Sequence, residues 1–562
     1  MTPRPIAPRA PAALAATLAT LLGACATAPA GAEPGAGTPA ADAGIAVEVP
    51  EVAHPGGEDA AWWFRLGASQ AAARGAMQGR ARNVIVFLGD GMSLPTVAAA
   101  RILAGQRDGR PGEETLLSWE RFPATAFSRT YNTDSQVPDS AGTMSAIATG
   151  VKTRYGVISV GPQAPRYDCE AGRAAPLLTL WELAAASGLA TGVVTTTKVT
   201  HATPGTTFAH AADRNWENDV LLAKDPGTAA CVDIARQMVE SPYGNGPDVL
   251  LGGGRGNFLP ATQPDPEYPE ATGLRGDGRD LVATWLARHP DGAYAWNAAQ
   301  LASAPPGKPL LGLFEPDRLH YRHDAARDRA GAPSLADMTR AAIERLQAMG
   351  GRDGYVLLVE GALIDYAHHE GNAYRALDET IALSEAVAVA DAMTSPEDTL
   401  ILVTADHAHT LSFVGYPVRG NPILGKVERR GRDGVVRPWL DQDGRPYTTL
   451  QYANGPGAAK GGAPRADLDG VDTTAPDFLQ PALVPLSGET HGGDDVGVWA
   501  RGPGATAVRG SVEENTLFHF LLQATPRLRA ALCAKGYCDG NGVPVELPDP
   551  AAFRTASPAP AR

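Results

Sequence analysis

Cysteine is scarce: five residues in 562, at positions 25, 169, 231, 533 and 538, with no C-x-x-C pair among them. That spacing disfavours a zinc site built from cysteines. Basic residues are outnumbered, 48 Lys and Arg against 62 Asp and Glu, for a formal charge of −14. With no Lys/Arg stripe, a nucleic-acid surface is excluded. An acidic chain can still take an anionic substrate where metals supply local positive charge. The apolar run AALAATLATLLGA near the N-terminus is too short for a spanning helix, and no stop-transfer pattern follows it. The C-terminal segment is rich in Pro and Ala and lacks the hydrophobic tail of a glycolipid-anchor signal. Internal repeats are absent.

What is present begins with an export signal. Arg4 and Arg9, the apolar run and Leu22-Gly23-Ala24-Cys25 read as a lipoprotein signal peptide over 1–25, with Cys25 lipidated as the first mature residue. Ala26 follows, lacking the Asp that favours inner-membrane retention. The expectation is an exported protein, either a bacterial outer-membrane lipoprotein or a periplasmic or cell-surface one. Residues 26–58 are rich in Ala, Pro and Gly and read as a tether. The folded body is expected over 59–540, with a loose tail over 541–562. Setting Cys25 aside leaves an even number of cysteines in an exported chain, which implies two disulfides. Close spacing favours Cys533 with Cys538, leaving Cys169 with Cys231.

Four short apolar runs end alike: NVIVFLGDG (83–91), ATGVVTTTKVTHAT (190–203), YVLLVEG (355–361) and TLILVTADHAH (399–409). Each suits a buried parallel strand, and each finishes in residues that can hold a metal. PDVLLGGG and DDVGVWARG look like further strands, and GGGRG reads as a strand end because its spacing is not that of a phosphate loop. Helical patterns lie between, such as SLADMTRAAIERLQAMG and AYRALDETIALSEAVAVADAM. This alternation predicts an α/β fold, a three-layer α/β/α arrangement around a doubly wound, mostly parallel sheet. Functional groups then gather at the carboxyl ends of the strands. The stretch 413–487, rich in Gly and Pro, reads as a small irregular β insertion.

The segment YVLLVEGALIDYAHHEG places Glu360, Asp365, His368, His369 and Glu370 beside a buried strand. Uncompensated buried charges cost several kcal/mol each, roughly, so the spacing asks for a cation. Asp365 and His369, four apart, share one side of a helical turn. His368 and Glu370 point elsewhere and read as supporting or solvated groups, and His54, His289 and His519 as structural or exposed. VPDSAGT places Ser140 at the start of a helix of small residues, where backbone N–H groups and the helix dipole favour an anion.

Taken together and in order, FLGDGM, VPDSAGT, GVVTTTKVTHATPGTTFAHAADRNW, GGGRGNFLP, PDPEYP, GLFEP, VEGALIDYAHHEGNAYRALDET, TADHAHTLSFVGYPVRGNPI, YANGPG and ETHGGDDVGVWARGP resemble alkaline phosphatase, in its animal-type branch. The match spans roughly residues 80–540. The resemblance implies two zinc ions and one magnesium ion per chain. One zinc falls to Asp365, His369 and His491. The second falls to Asp90, Asp406 and His407, with Ser140 completing it. Magnesium would share Asp90 and take Thr203 and Glu360. Arg214 would grip two phosphate oxygens through its planar fork. The ligand types agree, since mixed His and carboxylate suits zinc and an all-oxygen set suits magnesium.

The implied reaction is hydrolysis of small phosphate monoesters. Ser140 attacks to form a phosphoserine, which water then hydrolyses after a zinc has loosened its proton. A phosphodiesterase or a related hydrolase such as a sulfatase is the alternative. Ser140 with Thr203, Glu360 and Arg214 favours the monoesterase. Where relatives carry His or Lys after the zinc-binding Asp, this chain has Tyr366. His201 stands where they have His or Asp, behind the ligands themselves. A calcium site is left open, with Glu267, the Phe314 carbonyl and Glu315 as counterparts and Ala332 at the fourth position. The 413–487 insertion resembles the crown of dimeric relatives, implying a homodimer.

Overall fold

The computed structural model describes residues 57–555. The signal segment, Cys25 and nearly all of the 26–58 tether lie outside the described residues, as do 556–562. The first helix described is Ala60–Ala73, capped by Asp59, whose side chain accepts from Trp62 N.

Ten strands make one sheet: β1 Asn83–Gly89, β2 Ala124–Arg129, β3 Ala190–Lys198, β4 Val249–Gly253, β5 Ala293–Ala295, β6 Leu310–Leu313, β7 Tyr355–Gly361, β8 Thr399–Ala405, β9 Val496–Arg501 and β10 Gly510–Glu513. Their order is β10-β2-β9-β8-β1-β7-β3-β4-β6-β5. Only β9 runs against its neighbours. The other pairings are parallel, so the sheet is the mostly parallel one expected.

Strands β1, β7 and β8 are buried at every position because helices cover both faces. Side chains alternate between them. Val84, Val86 and Leu88 join a core that includes Phe64, Met144, Leu183 and Leu521. Ile85 and Phe87 join Met338, Ile343, Leu377 and Val387 on the other side. Three layers follow directly from period-2 alternation of wholly apolar strands. Register then sets the site. Leu88 pairs with Glu360, and Gly89 pairs with both Gly361 and Ala405. Asp90, Glu360 and Asp406 therefore emerge together at one sheet edge.

The 413–487 stretch, together with Leu411 and Ser412 just before it, forms a three-stranded sheet of Leu411–Phe413, Leu450–Gly455 and Ala482–Pro485, and a ribbon of Glu428–Arg430 with Val436–Pro438. The disulfides Cys169–Cys231 and Cys533–Cys538 are both formed. The C-terminal stretch is less loose than its composition suggests. Val543 and Phe553 are buried, Tyr243 Oη donates to Pro550 O, and Thr555 N donates to Pro242 O. Two apolar side chains tie residues 541–555 to the body where a Pro/Ala count sees only coil.

Candidate active site and metal centre

Ser140 opens the helix Ser140–Thr149, and Asp139 is its N-cap, accepting from Ala141 N and Gly142 N. The same carboxylate takes Gly156 N at 2.8 Å and Arg214 Nη1 at 2.9 Å. One side chain thus fixes the serine, a loop and the arginine. Burial works against the Arg214 charge, but Asp139, then Asp90 and Asp365, raise its pKa above the ordinary value.

Ser140 Oγ lies 3.1 Å from His407 Nε2 and 3.4 Å from Asp90 Oδ1. His407 Nε2 is 3.3 Å from Asp90 Oδ1 and 3.5 Å from Asp406 Oδ2. A second set is spaced alike. Asp365 Oδ1 is 3.4 Å from His369 Nε2 and 3.3 Å from His491 Nε2, and the two imidazole nitrogens are 3.1 Å apart. Ligands about 2.0–2.1 Å from a tetrahedral ion stand about 3.3 Å from one another, so both sets have the edge length of a zinc polyhedron. Two imidazole lone pairs face to face also need a cation between them.

A third group is marked by unmet valences. Asp90 Oδ2, Glu360 Oε1, Thr203 Oγ1 and His201 Nδ1 are buried without a hydrogen-bond partner. Asp90, His201 and Glu360 approach closely enough to share an ion. Orphaned buried oxygens are costly, and a hard cation is what would satisfy them. Crowding appears in the acidities. Burial, then Asp406 and Asp365, push Asp90 well above the usual carboxylate range. Burial pushes Glu360 up to about 8 and Asp406 up to about 6. Asp365 goes the other way: burial would raise it, but His369 and the bonds from His409 and His491 hold it well below. Burial, with His491 alongside, drives His407 well below the ordinary imidazole value, leaving it neutral as a ligand must be. The residues present fit divalent ions.

The structure thus brings together Asp90, Ser140, Thr203, Arg214, Glu360, Asp365, His369, Asp406, His407 and His491. It also draws in His201, whose Nε2 is 3.0 Å from Arg214 Nη2. Tyr366 lines the cavity with its hydroxyl 3.3 Å from Thr197 Oγ1. His368 is buried between Thr96 and Tyr452, and Glu370 faces Arg318. His289 packs on Trp285, and His519 is buried beside Phe64.

Sequence reading missed His409 and Glu489. His409 bonds to Asp365 Oδ1 at 2.7 Å through Nε2 and to Glu489 through Nδ1, and Glu489 also accepts from Thr410 N. Against the effect of burial, Glu489 and Asp365 lift His409 to about 10, and its two ring nitrogens join Asp365 to Glu489, which fixes the Asp365 carboxylate in place. Gly91 makes room for that ring: at φ +68 it would set a Cβ 2.3 Å from His409 Cδ2. The alternation Asp406-His407-Ala408-His409 was the available signal.

A separate cluster, away from the serine, joins Glu267, Glu315 and Asp328. Burial, then Glu267 and Asp328, push Glu315 up to about 8. Ala332, at the expected fourth position, offers no side-chain ligand, and its N–H donates to Asp328. Asp328, four residues earlier, is the carboxylate that converges.

A family model described as Alkaline phosphatase matches residues 81–526. The tissue-nonspecific isozyme of alkaline phosphatase from Gallus gallus is 43% identical over 457 residues, covering 80% of this chain and 85% of that one. The alkaline phosphatase of Gadus morhua is 43% identical over 454 residues, covering 79% and 92%. Among solved structures, the Thermus thermophilus alkaline phosphatase superposes with a TM-score of 0.56 at 25% identity, covering 80% of this chain and 94% of that one. The enzyme from the Antarctic bacterium TAB5 gives 0.53 at 21%, covering 80% and 98%.

Proposed function

The chain belongs to the alkaline phosphatase family and is a metal-dependent hydrolase of phosphate monoesters; on that premise we propose that Ser140 attacks the phosphorus while Arg214 holds two of its oxygens. The observation that carries the reading is convergence: Ser140, Arg214, Asp365, His369 and His491 all line one cavity of about 430 Å3.

Ser140 Oγ points away from its helix towards His407 and Asp90, so an ester held by Arg214 meets the oxygen at its phosphorus. The helix N-terminus adds positive potential where charge develops. Asp139 keeps the Arg214 fork charged and aimed. When bound, the divalent ions supply Lewis-acid charge that acidifies the oxygens they touch. His409 and Glu489 keep Asp365 oriented towards them.

In this reading Asp365, His369 and His491 would hold one zinc ion, and Asp90, Ser140, Asp406 and His407 a second. Asp90, Thr203 and Glu360 would hold magnesium, with His201 beside them. Calcium stays open: Glu267, Glu315 and the Phe314 carbonyl are the counterparts that would hold it, with Asp328 alongside. Two disulfides support export. No helix among the described residues is long and apolar enough to cross a membrane. Cys25, through its lipobox, is the proposed anchor to the outer membrane. Exposed Tyr416, Leu483 and Val484 on the insertion support a homodimer.

The test is a substrate panel with metal analysis: aryl phosphate, bis-aryl phosphate diester and aryl sulfate. The monoester is expected to turn over fastest by orders of magnitude, in protein holding zinc and magnesium. Faster hydrolysis of the diester or the sulfate would overturn the assignment.

A further inference from the structure

The wall of the active-site cavity carries a second guanidinium for which the phosphoryl chemistry has no use. Arg166 lines the same cavity as Ser140 and Arg214. Its Nε donates to Asp213 Oδ2 at 2.5 Å, and Asp213 is the residue before Arg214. The guanidinium carbon stands 4.7 Å from the Tyr167 ring centroid and 5.4 Å from that of Tyr155. Its seat is made by Gly156: at φ +77, a Cβ there would fall 2.4 Å from Arg166 Nε. Gly156 is itself tied to the phosphate clamp, donating to Asp139 and accepting from Arg214 N at 2.9 Å. The second guanidinium therefore lines the same cavity as the first and is linked to it through Asp213 and Gly156.

Charge balance distinguishes Arg166 from the other cation in this wall. Lys198 Nζ is taken up by Glu217 at 2.7 Å and Asp317 at 3.6 Å. Arg166 has a single carboxylate partner, and it uses only the Nε edge. Among the described residues no acceptor takes its two Nη groups within hydrogen-bond distance. Its side chain is 23% exposed, enough to meet a ligand without being freely solvated.

We propose that Arg166 is a specificity-determining residue that binds a second anionic group on the substrate, so that esters bearing a carboxylate or another phosphate beyond the scissile one are preferred. The inference rests on the phosphomonoesterase reading above and goes on to name its substrate class. Tyr155 and Tyr167, about 42% and 50% exposed, lie within cation–π distance of the guanidinium and restrict its movement. A planar fork with two free Nη groups suits a carboxylate or a phosphate oxygen pair. A charge-assisted hydrogen bond of this kind is worth about a tenfold preference or more.

The test uses two near-isosteric esters, 3-carboxyphenyl phosphate and 3-carbamoylphenyl phosphate, which differ chiefly in the distal charge. In the metal-loaded wild type, kcat/KM for the carboxylate is expected to exceed that for the amide about tenfold, mostly through KM, with a preference that shrinks as salt rises. Arg166→Gln should bring the ratio to about one, and Arg166→Lys should retain part of it. A ratio that survives Arg166→Gln, with both substrates losing equally, would assign Arg166 to positioning Arg214 through Asp213 and overturn the proposal. A wild-type ratio at or below one would overturn it as well. Failure of the phosphatase reading looks different, since neither ester would then be hydrolysed.

Discussion

At the scale of single residues, the proposed reading divides the acids of YVLLVEGALIDYAHHEG between two jobs. Asp365 lies 3.3–3.4 Å from two imidazole nitrogens, the spacing of a shared tetrahedral ion. Glu360 offers a bare buried oxygen beside those of Asp90 and Thr203. Asp365→Ala leaves two imidazoles, too few for tight zinc, and should lower zinc by about one ion per chain with activity nearly abolished. Glu360→Gln should deplete magnesium and spare most zinc, leaving a slow enzyme that added magnesium partly restores. Elemental analysis after gel filtration reads both. Loss of the same metal from both variants would show that the two acids serve one ion.

The residues most visible in the sequence were those at strand ends, because a continuous apolar run that stops in Asp or Glu has no structural motive. His409, despite its alternation with His407, and Glu489 were harder to read for the opposite reason. They act through Asp365 rather than on the ion, and 80 residues separate them in the chain. Asp328 was hidden by loop geometry. Its carboxylate reaches Glu267 and Glu315 from a stretch with no regular secondary structure, where positional matching by count fails.

At the scale of elements, the helix Ser140–Thr149 depends on Asp139 more than on its own propensity, since Gly142, Thr143 and Ser145 are weak helix formers. Asp139→Ala removes the cap and the bonds to Gly156 and Arg214 together. The expected cost is about 1–2 kcal/mol of stability from the cap alone, with phosphate binding weakened in addition. Denaturant titration and phosphate inhibition check the two effects separately. Asp139→Asn should restore most of the stability and little of the phosphate affinity. Equal recovery of both would mean that charge on residue 139 has no part in holding Arg214.

The central strands were legible from apolar continuity, and the marginal ones were not. Ala124–Arg129 alternates buried with exposed, and Ala293–Ala295 is three residues long, so neither offers the unbroken run that marks a doubly covered strand. The helix Ala60–Ala73 reads as Ala-rich, yet it buries Trp63 and packs Phe64 against Phe518 and His519.

At the scale of the molecule, the sheet assembles a cluster of acids that repel one another, and burial together with that repulsion pushes Asp90, Glu360 and Asp406 above the ordinary carboxylate range. Bound metal should therefore be a large part of the stability. Chelation is expected to lower Tm by roughly 5 °C or more, with recovery on adding zinc and magnesium together. Scanning calorimetry of the holo and stripped forms reads this directly. An unchanged Tm would mean that the acids are accommodated by protons alone.

Ser140 is expected to become phosphorylated, and acid quenching during turnover of a labelled monoester would capture the phosphoserine. Low pH should slow the hydrolytic step, so label should accumulate in the peptide carrying Val137 to Thr143, with near one equivalent per active chain, and vanish in Ser140→Ala. Turnover with no label in that peptide, or a Ser140→Ala enzyme with full burst and rate, would contradict it.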